Sequence, residues 1–360
     1  MTEQLTLSAA KPVPQTDSAT LPHTKEINMA EYYKKQFASD VDSFQKNGRL
    51  KSGYANIDAI TNLYPGLYVV GAISSLGKTT FIHQMGEQIA EAGSHVLFFS
   101  LEQSIIELAS KSIARNIAKE DQKNGLSSLQ IRRAGLSDSR ITAAIDRCMA
   151  YSDRMTVVEC SFQITIDDIT NTVEEYIKQN NVKPVVIIDY LQVIQPSPES
   201  RMTTKDLVDY HVRRLKILQA DNQLTMIVIS SLNRQNYMTT IDFESFKESG
   251  GIEYTADVLW GLQLQCINEK TFDSQNKINI KRRIIMDAKK ANPRKIELIC
   301  LKNRFGVSSY SCRFDYFPKF DWFKPDLTGL NINDAVSGNI DTDGFMTIPK
   351  GLEPEPPQSV

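Results

Sequence analysis

Apolar residues fall into two alternating kinds of run along this chain. Short, nearly unbroken apolar blocks occupy residues 67–71, 95–102, 155–159, 183–192, 224–230 and 257–264, and between most of them apolar residues recur every three to four positions. Unbroken blocks bounded by Pro, Gly or charge mark strands buried on both faces, and the spacing between them is that of helices. The alternation predicts an α/β fold, a mostly parallel twisted sheet flanked by helices. The helix after the first block carries Phe81, Ile82, Met85, Ile89 and Ala92 and stops at Gly93. Several helices are expected over 103–150, with loops at Lys123-Asn124-Gly125 and Gly135-Leu136-Ser137-Asp138, and further ones at 166–179 and 205–221.

The ends of the chain read differently. Residues 1–26 mix Ser, Thr, Pro and charge without periodicity and are expected to be a disordered leader. Over 27–47, Tyr33, Phe37, Val41 and Phe44 form one apolar stripe on an otherwise polar helix. That stripe must be buried on its own domain or on a neighbouring subunit. The tail 324–360, rich in Gly, Asp, Asn and Pro, cannot build a core and is expected to be disordered. The expected organisation is a leader (1–26), a linker or docking helix (27–49), one large domain (50–323) and an acidic, Pro-rich tail (324–360).

Composition adds limits. With 360 residues, 41% of them hydrophobic, and a net charge of −2, the chain fits a single sizeable soluble domain with tails. No apolar run approaches the roughly 18 residues of a membrane span, and the first residues lack a basic segment followed by an apolar core. A cytoplasmic protein with no membrane partner is expected. Five cysteines without C-x-x-C spacing and four scattered histidines point neither to zinc nor to disulfides, and the thiols are expected to be mostly buried.

Candidate chemistry concentrates where the first block ends. Gly71-Ala72-Ile73-Ser74-Ser75-Leu76-Gly77-Lys78-Thr79-Thr80 is a small-residue loop between a strand and a helix. In such a loop the backbone N–H groups and the helix N-terminus surround phosphates, Lys78 adds a point charge, and the Thr79 hydroxyl can ligate Mg²⁺. The spacing G-x-x-x-x-G-K-[ST] would put its first glycine at position 72, which is Ala72; here the glycine is Gly71, one place early. A glycine-bearing turn with a chance lysine is the plainer alternative, and the strand-loop-helix context argues against it.

Two later blocks end in carboxylates. Phe98-Phe99-Ser100-Leu101-Glu102 would bring Glu102 to the strand ends where ligands sit in an open parallel sheet, placed to orient or deprotonate water. The bland alternative is a solvated glutamate. Val185-Val186-Ile187-Ile188-Asp189 has the form of a strand whose terminal aspartate holds Mg²⁺ through water. The polar loop 195–204, with Arg201, suits a ligand-contacting role.

Four segments in order, the loop at 71–79, Phe98 to Glu102, Ile188-Asp189-Tyr190-Leu191-Gln192 and Lys247-Glu248-Ser249-Gly250-Gly251-Ile252-Glu253, resemble the DnaB-type replicative helicases. The likeness covers about residues 50–323 and includes the displaced glycine. It implies a RecA-like P-loop NTPase core with a C-terminal β-hairpin, assembled as a homohexamer that uses ATP and Mg²⁺ to move 5′ to 3′ on single-stranded DNA. By the same resemblance Glu102 is the catalytic base and Thr79 and Asp189 serve the metal. Ser74, Ser75, Leu76, Gly77, Lys78, Thr79, Thr80 and Gln192 contact nucleotide. The resemblance implies DNA contacts at Lys247, Glu248 and Gly250, and Arg201 of the polar loop is expected to join them.

Two departures accompany the resemblance. The helical N-terminal domain of the family is not recognisable, and only the 27–47 helix resembles its linker, which suggests a mobile-element or phage-like form served by a separate primase or loader. The family's usual Ser-Gln-Leu is Ser230-Ser231-Leu232 here, a shorter hydroxyl where a glutamine is thought to sense the γ-phosphate.

The pI of about 6.2 excludes a uniformly basic surface, so any DNA site must be local, as in a ring whose modest patches share one channel. The run Lys281, Arg282, Arg283, Lys289, Lys290, Arg294 and Lys295 reads foremost as a solvated face. In Leu298-Ile299-Cys300-Leu301-Lys302-Asn303-Arg304-Phe305-Gly306 a strand runs into two cations, and it resembles the family's hairpin finger. No acidic motif obviously claims Arg304 within the chain, and the resemblance has Lys302 and Arg304 acting on the neighbouring subunit's nucleotide. Three classes remain open: a ring helicase, a RecA- or KaiC-like ATPase that assembles without unwinding, and a nucleotide-holding adaptor. Joint presence of Lys78, Glu102 and Asp189 weighs against the third, since a scaffold has no need of a water-positioning acid.

Overall fold

A computed structural model describes residues 27–47, 50–196, 202–233, 238–246, 250–269, 272 and 278–328. The chain divides into two units, Met1–Lys46 and Asn47–Val360. In the first, the expected single helix is two, α1 (Met29–Lys35) and α2 (Phe37–Asn47). Helical hydrogen bonds run through the junction, from Gln36 N–H to Tyr32 O and from Asp40 N–H to Gln36 O, while φ of −125° at Gln36 bends the axis. The rings of Tyr32, Tyr33 and Phe37 meet at this bend, and the Tyr32 hydroxyl donates to Asp40 at 3.0 Å.

The second unit is built on a nine-stranded sheet. After the short α3 (Ala55–Asp58) come β1 (Gly66–Ala72), α4 (Lys78–Glu91), β2 (Val96–Ser100), α5 (Ile105–Glu120), α6 (Ser128–Ala134), α7 (Ser139–Ser152), β3 (Met155–Glu159), α8 (Ile166–Asn180) and β4 (Val185–Asp189). Then follow α9 (Thr204–Asn222), β5 (Thr225–Ser231), α10 (Gly250–Thr255), β6 (Val258–Leu264), α11 (Ile278–Lys290), β7 (Arg294–Asn303), β8 (Ser311–Phe317) and β9 (Trp322–Asp326). The order across the sheet is β3-β2-β4-β5-β1-β6-β7-β8-β9. The first six are parallel and the last three antiparallel. The expected hairpin is therefore a three-stranded extension, and residues 324–326, expected in the tail, belong to β9. The basic run is largely α11, a helix with no buried residue.

Burial explains the strand assignments. Every position of β1, β2, β4 and β6 is buried, as the unbroken apolar blocks require. From β1 the chain passes through α4 to β2, leaving β5 and β4 to fill the gap, so the sheet reverses its winding between these strands. Such a switch opens a crevice at the strands' carboxyl ends.

α4 is fixed from the antiparallel side. Phe81 stacks on Tyr54 at 4.8 Å and meets Phe314 and Phe323 edge to face. The Gln84 side chain pairs with both backbone groups of Phe323, at 2.8 and 2.9 Å. Behind it lies a buried polar network. Arg115 of α5, only 1% exposed, ion-pairs with Glu87 of α4 and donates to Asp321 O at 2.6 Å, while the Tyr151 hydroxyl of α7 donates to Glu87 at 3.2 Å. Burial pushes the Glu87 carboxyl up, but the Arg115 guanidinium, His83 and the Ser112 hydroxyl together outweigh this and hold it below the usual range. Of the cysteines, Cys300 and Cys312 are buried as expected and Cys148, Cys160 and Cys266 only half-buried; all five are free thiols.

Glu87→Ala strands the Arg115 charge in the core, and a loss of about 3–5 kcal/mol is expected in urea unfolding. A loss below about 1 kcal/mol would show that Arg115 finds another partner.

Candidate functional site

The crevice holds a cavity of about 420 Å³. Its floor is the turn between β1 and α4. Gly71 lies within β1 and not in the turn: a Cβ there would stand 2.3 Å from Phe246 and 2.5 Å from Leu232. Packing of the next layer against the strand thus demands glycine at 71 and leaves Ala72 its side chain, which is why the motif's glycine is displaced. At Gly77 the demand is conformational, because φ is +84° and a Cβ would also approach Tyr316 to 2.8 Å. Leu76 is fully buried and anchors the turn.

Gly77 caps α4 without any side-chain acceptor, and the first turn contains no acid. The N–H groups of Lys78, Thr79 and Thr80 therefore have no intrahelical acceptor and sit at the positive end of the helix dipole. Ser74, Ser75, Lys78, Thr79 and Thr80 line the cavity with them, a cradle suited to phosphate. The Lys78 ammonium lies 5.8 Å from the Tyr190 ring centroid.

Across the cavity stand the other strand ends. Glu102 comes just after β2 and lines the wall, with Gln103 beside it. Asp189, the last residue of β4, is 1% exposed, and its Oδ2 has no hydrogen-bond partner. Burial raises the Asp189 carboxyl to about 6 against a lowering hydrogen bond from Thr79, and the nearby Glu102 charge raises it further. An orphaned buried carboxylate oxygen next to the Thr79 hydroxyl is a fitting donor pair for a divalent cation. Among the described residues no three His, Cys, Asp or Glu gather at a point, so phosphate oxygens or water would have to complete the shell.

Several wall residues carry no mark in the sequence. Lys111 of α5 reaches the cavity and approaches Asp321 to 3.7 Å, and Tyr316 and Asp321 arrive from the antiparallel strands. Asp321 also accepts from the Thr80 hydroxyl at 3.1 Å. Arg294, at the start of β7, donates to Ser75 O at 2.9 Å and lies over Tyr316. Ser231, at the end of β5, also lines the cavity. Gln192 is not among the lining residues: its amide donates to Ser230 Oγ at 2.9 Å and accepts from Ser231 N–H at 3.1 Å.

The remaining site residues are elsewhere. Arg201, Lys247 and Glu248 lie outside the described residues, and Gly250 opens α10, whose next residue, Gly251, donates its N–H to Asp209 at 2.9 Å. Lys302 and Arg304 are at the opposite end of the sheet. Asn303 pairs with Val258, which is level with Tyr68, so about 13 Å of strand separates that level from Ala72 before the phosphate turn begins. The expectation that nothing acidic claims Arg304 is corrected: it ion-pairs with the buried Asp257 at 3.1 Å. The sequence hides this because the two residues stand 47 positions apart and meet only through the β6–β7 pairing.

The sequence family described as DnaB-like helicase C terminal domain matches residues 49–324. Among curated proteins, the chain is 27% identical over 273 residues to the replicative DNA helicase DnaB of Geobacillus stearothermophilus, covering 74% of this chain and 58% of that protein. It is 25% identical over 240 residues to the replicative DNA helicase DnaC of Bacillus subtilis, covering 64% and 50%. The chain spans about half the length of the curated relatives it matches. Among solved structures, one described as an ATPase domain superposes with a TM-score of 0.64 at 18% identity over 83% of this chain and 99% of that one. A DnaB-like replicative helicase, described with its primase interactions, gives 0.64 at 19% over 83% and 67%. Both likenesses are of fold.

Lys78→Ala removes a charge aimed into the cavity and leaves the core alone. Binding of a fluorescent ATP analogue is expected to fall at least about tenfold with the urea unfolding midpoint unchanged. Undiminished binding would take the phosphates away from this turn.

Proposed function

The chain belongs to the DnaB-like helicase C-terminal domain family, and from that premise we propose that it is the motor of an ATP-driven ring helicase moving 5′ to 3′ on single-stranded DNA during replication. The observation that carries the reading is that Lys78, Thr79 and Glu102 line one cavity with the buried Asp189 close behind them, near enough to Thr79 for a hydrogen bond and within the electrostatic reach of Lys78 and Glu102. The N–H groups of α4 and the Lys78 ammonium hold the β- and γ-phosphates. Glu102, lining the same cavity, orients the attacking water and accepts its proton. Thr79 and Asp189 hold Mg²⁺, which when bound neutralises phosphate charge.

Lys302 and Arg304 act on the nucleotide of the neighbouring subunit in a homohexamer. Their place at the far end of the sheet from their own phosphate turn supports this, since a ring brings one subunit's far end to the next subunit's cavity. DNA follows the channel past the segment ending at Gly250 and past Arg201. A primase or loader on a separate chain completes the replication assembly, by extension from the relative described with primase. No described helix is long and apolar enough to cross a membrane.

One observation favours a second reading, a DNA-stimulated ATPase that assembles without unwinding. Ser231 stands in the cavity wall, where the resemblance to DnaB-type helicases would put a glutamine, and its hydroxyl is too short to reach far into the site.

A strand-displacement assay on a 5′-tailed duplex separates the two. The proposal expects ATP-dependent displacement, and Glu102→Gln is expected to bind ATP normally while losing turnover about 100-fold or more. DNA-stimulated hydrolysis without displacement would select the second reading, and full turnover in Glu102→Gln would remove Glu102 from the chemistry.

The Asp189 carboxyl gives a pH test. Its folded-state value, raised to about 6, means that protons compete with Mg²⁺ below that pH, while above it the buried charge destabilises the empty protein and a cation relieves it. The thermal stabilisation by Mg²⁺ with an ATP analogue is expected to be larger at about pH 7.5 than at about pH 5, and to flatten in Asp189→Asn. An increment independent of pH in the unmodified protein would exclude Asp189 from the metal.

A further inference from the structure

Lys216 of α9 and Lys302 and Arg304 of β7 and its exit converge at the start of β6, facing two carboxylates, Asp257 and Glu253. Asp257 is the buried one, its side chain 5% exposed. Its Oδ2 accepts from Lys216 at 2.5 Å and from the Leu67 N–H at 2.8 Å, and its own N–H donates to Leu67 O at 2.9 Å. The carboxylate is thereby locked to the first residues of β1, and its second oxygen is left to meet Arg304 Nη1 at 3.1 Å.

Arg304 is held at three points. Its backbone N–H donates to Asp257 O at 3.0 Å, Nη1 to the Asp257 carboxylate and Nη2 to Tyr254 O at 3.2 Å. Lys302 Nζ is gathered by Glu253 O at 2.7 Å on the same helix end. Phe305, the next residue, stacks on Tyr64 and Tyr68 and so fixes the base of the turn. The side chain of Arg304 nonetheless remains 50% exposed, and a guanidinium with five donors has capacity beyond two contacts.

We propose that Asp257 is a positioning residue for the trans-acting arginine: a buried carboxylate, locked to β1 and Lys216, that sets Arg304 in one orientation for the phosphates bound by the neighbouring subunit. It does not touch nucleotide. The inference rests on the reading that Arg304 acts in trans. A flexible surface arginine would lose side-chain freedom at each catalytic encounter, whereas one already held at three points meets that cost during folding. Three cations against two carboxylates also leave this end of the sheet short of negative charge, which an incoming phosphate supplies.

The test uses the full chain. Asp257→Asn keeps the size and loses the charge, and the expected result is a drop in kcat of about 10–100-fold with the KM for ATP within about twofold of the unmodified protein. The double variant Asp257→Asn/Arg304→Ala should be no slower than Arg304→Ala alone. Mixed with Lys78→Ala subunits, Asp257→Asn subunits should recover ATPase, because on the order of a quarter of the interfaces in an equal random mixture pair an intact turn with an intact arginine. Recovery in Lys78→Ala/Arg304→Ala mixtures without recovery in Lys78→Ala/Asp257→Asn mixtures overturns the role of Asp257 and leaves the trans reading standing. Recovery in neither overturns that reading as well. Should Asp257→Asn fail to fold because Lys216 is left unpaired, Lys216→Met/Asp257→Asn removes both charges and is measured in the same mixtures. Wild-type kcat in either variant overturns the proposal.

Discussion

Register in the parallel half of the sheet governs everything at the cavity. Ser100 pairs with Asp189, Ile188 with Val228, and Ala72 with Ser231, so β2 and β4 end together, and β1 and β5 end together about two residues beyond them. Each of these strands delivers one polar group there: β1 the Gly77-Lys78-Thr79 turn, β2 Glu102, β4 Asp189 and β5 Ser231. A slip of one residue in any pairing would send each side chain of that strand to the opposite face of the sheet and move its terminal polar group by about 3.3 Å. The apolar blocks that drive burial thus also fix where the polar groups stand, and the burial of β4 at every position holds Asp189 in the core at a cost in desolvation.

The antiparallel half does a second task. β8 and β9 bring Tyr316 and Asp321 to the cavity and clamp α4 through Phe81, Gln84 and the Thr80–Asp321 bond. β7 runs the other way, so that Arg294 begins beside Ser75 while Lys302 and Arg304 finish at the far end of the sheet. One strand therefore connects a subunit's own nucleotide site to the cations we assign to its neighbour. Asp257 ties that far end to the first residues of β1 through its bonds with Leu67.

Local patterns made much of this legible. Gly77-Lys78-Thr79 after an apolar block, and acids closing two further blocks, need only neighbouring residues to be recognised. Sequence-distant contacts were hidden. Lys111 sits on a helix face with no distinguishing pattern, and Tyr316 and Asp321 reach the cavity only through strand order. The Arg115–Glu87 pair joins two helices 28 positions apart, and Asp257 meets Arg304 only across a strand pairing. The displaced glycine is likewise a tertiary fact, since Phe246 and Leu232 press on β1 at 71 and not at 72. The bend at Gln36 had no sequence mark, because every residue around it favours or tolerates a helix.

On the reading proposed, no single chain completes the site, because the turn at Lys78, Glu102 and Asp189 lie at one end of the sheet and Lys302 and Arg304 at the other. The most direct measurement is ATP hydrolysis per chain over a dilution series with the oligomeric state followed in parallel by mass photometry. Turnover per chain is predicted to rise and fall with the assembled fraction and to be at least about 100-fold lower in the monomer. Monomers that hydrolyse ATP at the assembled rate would contradict it.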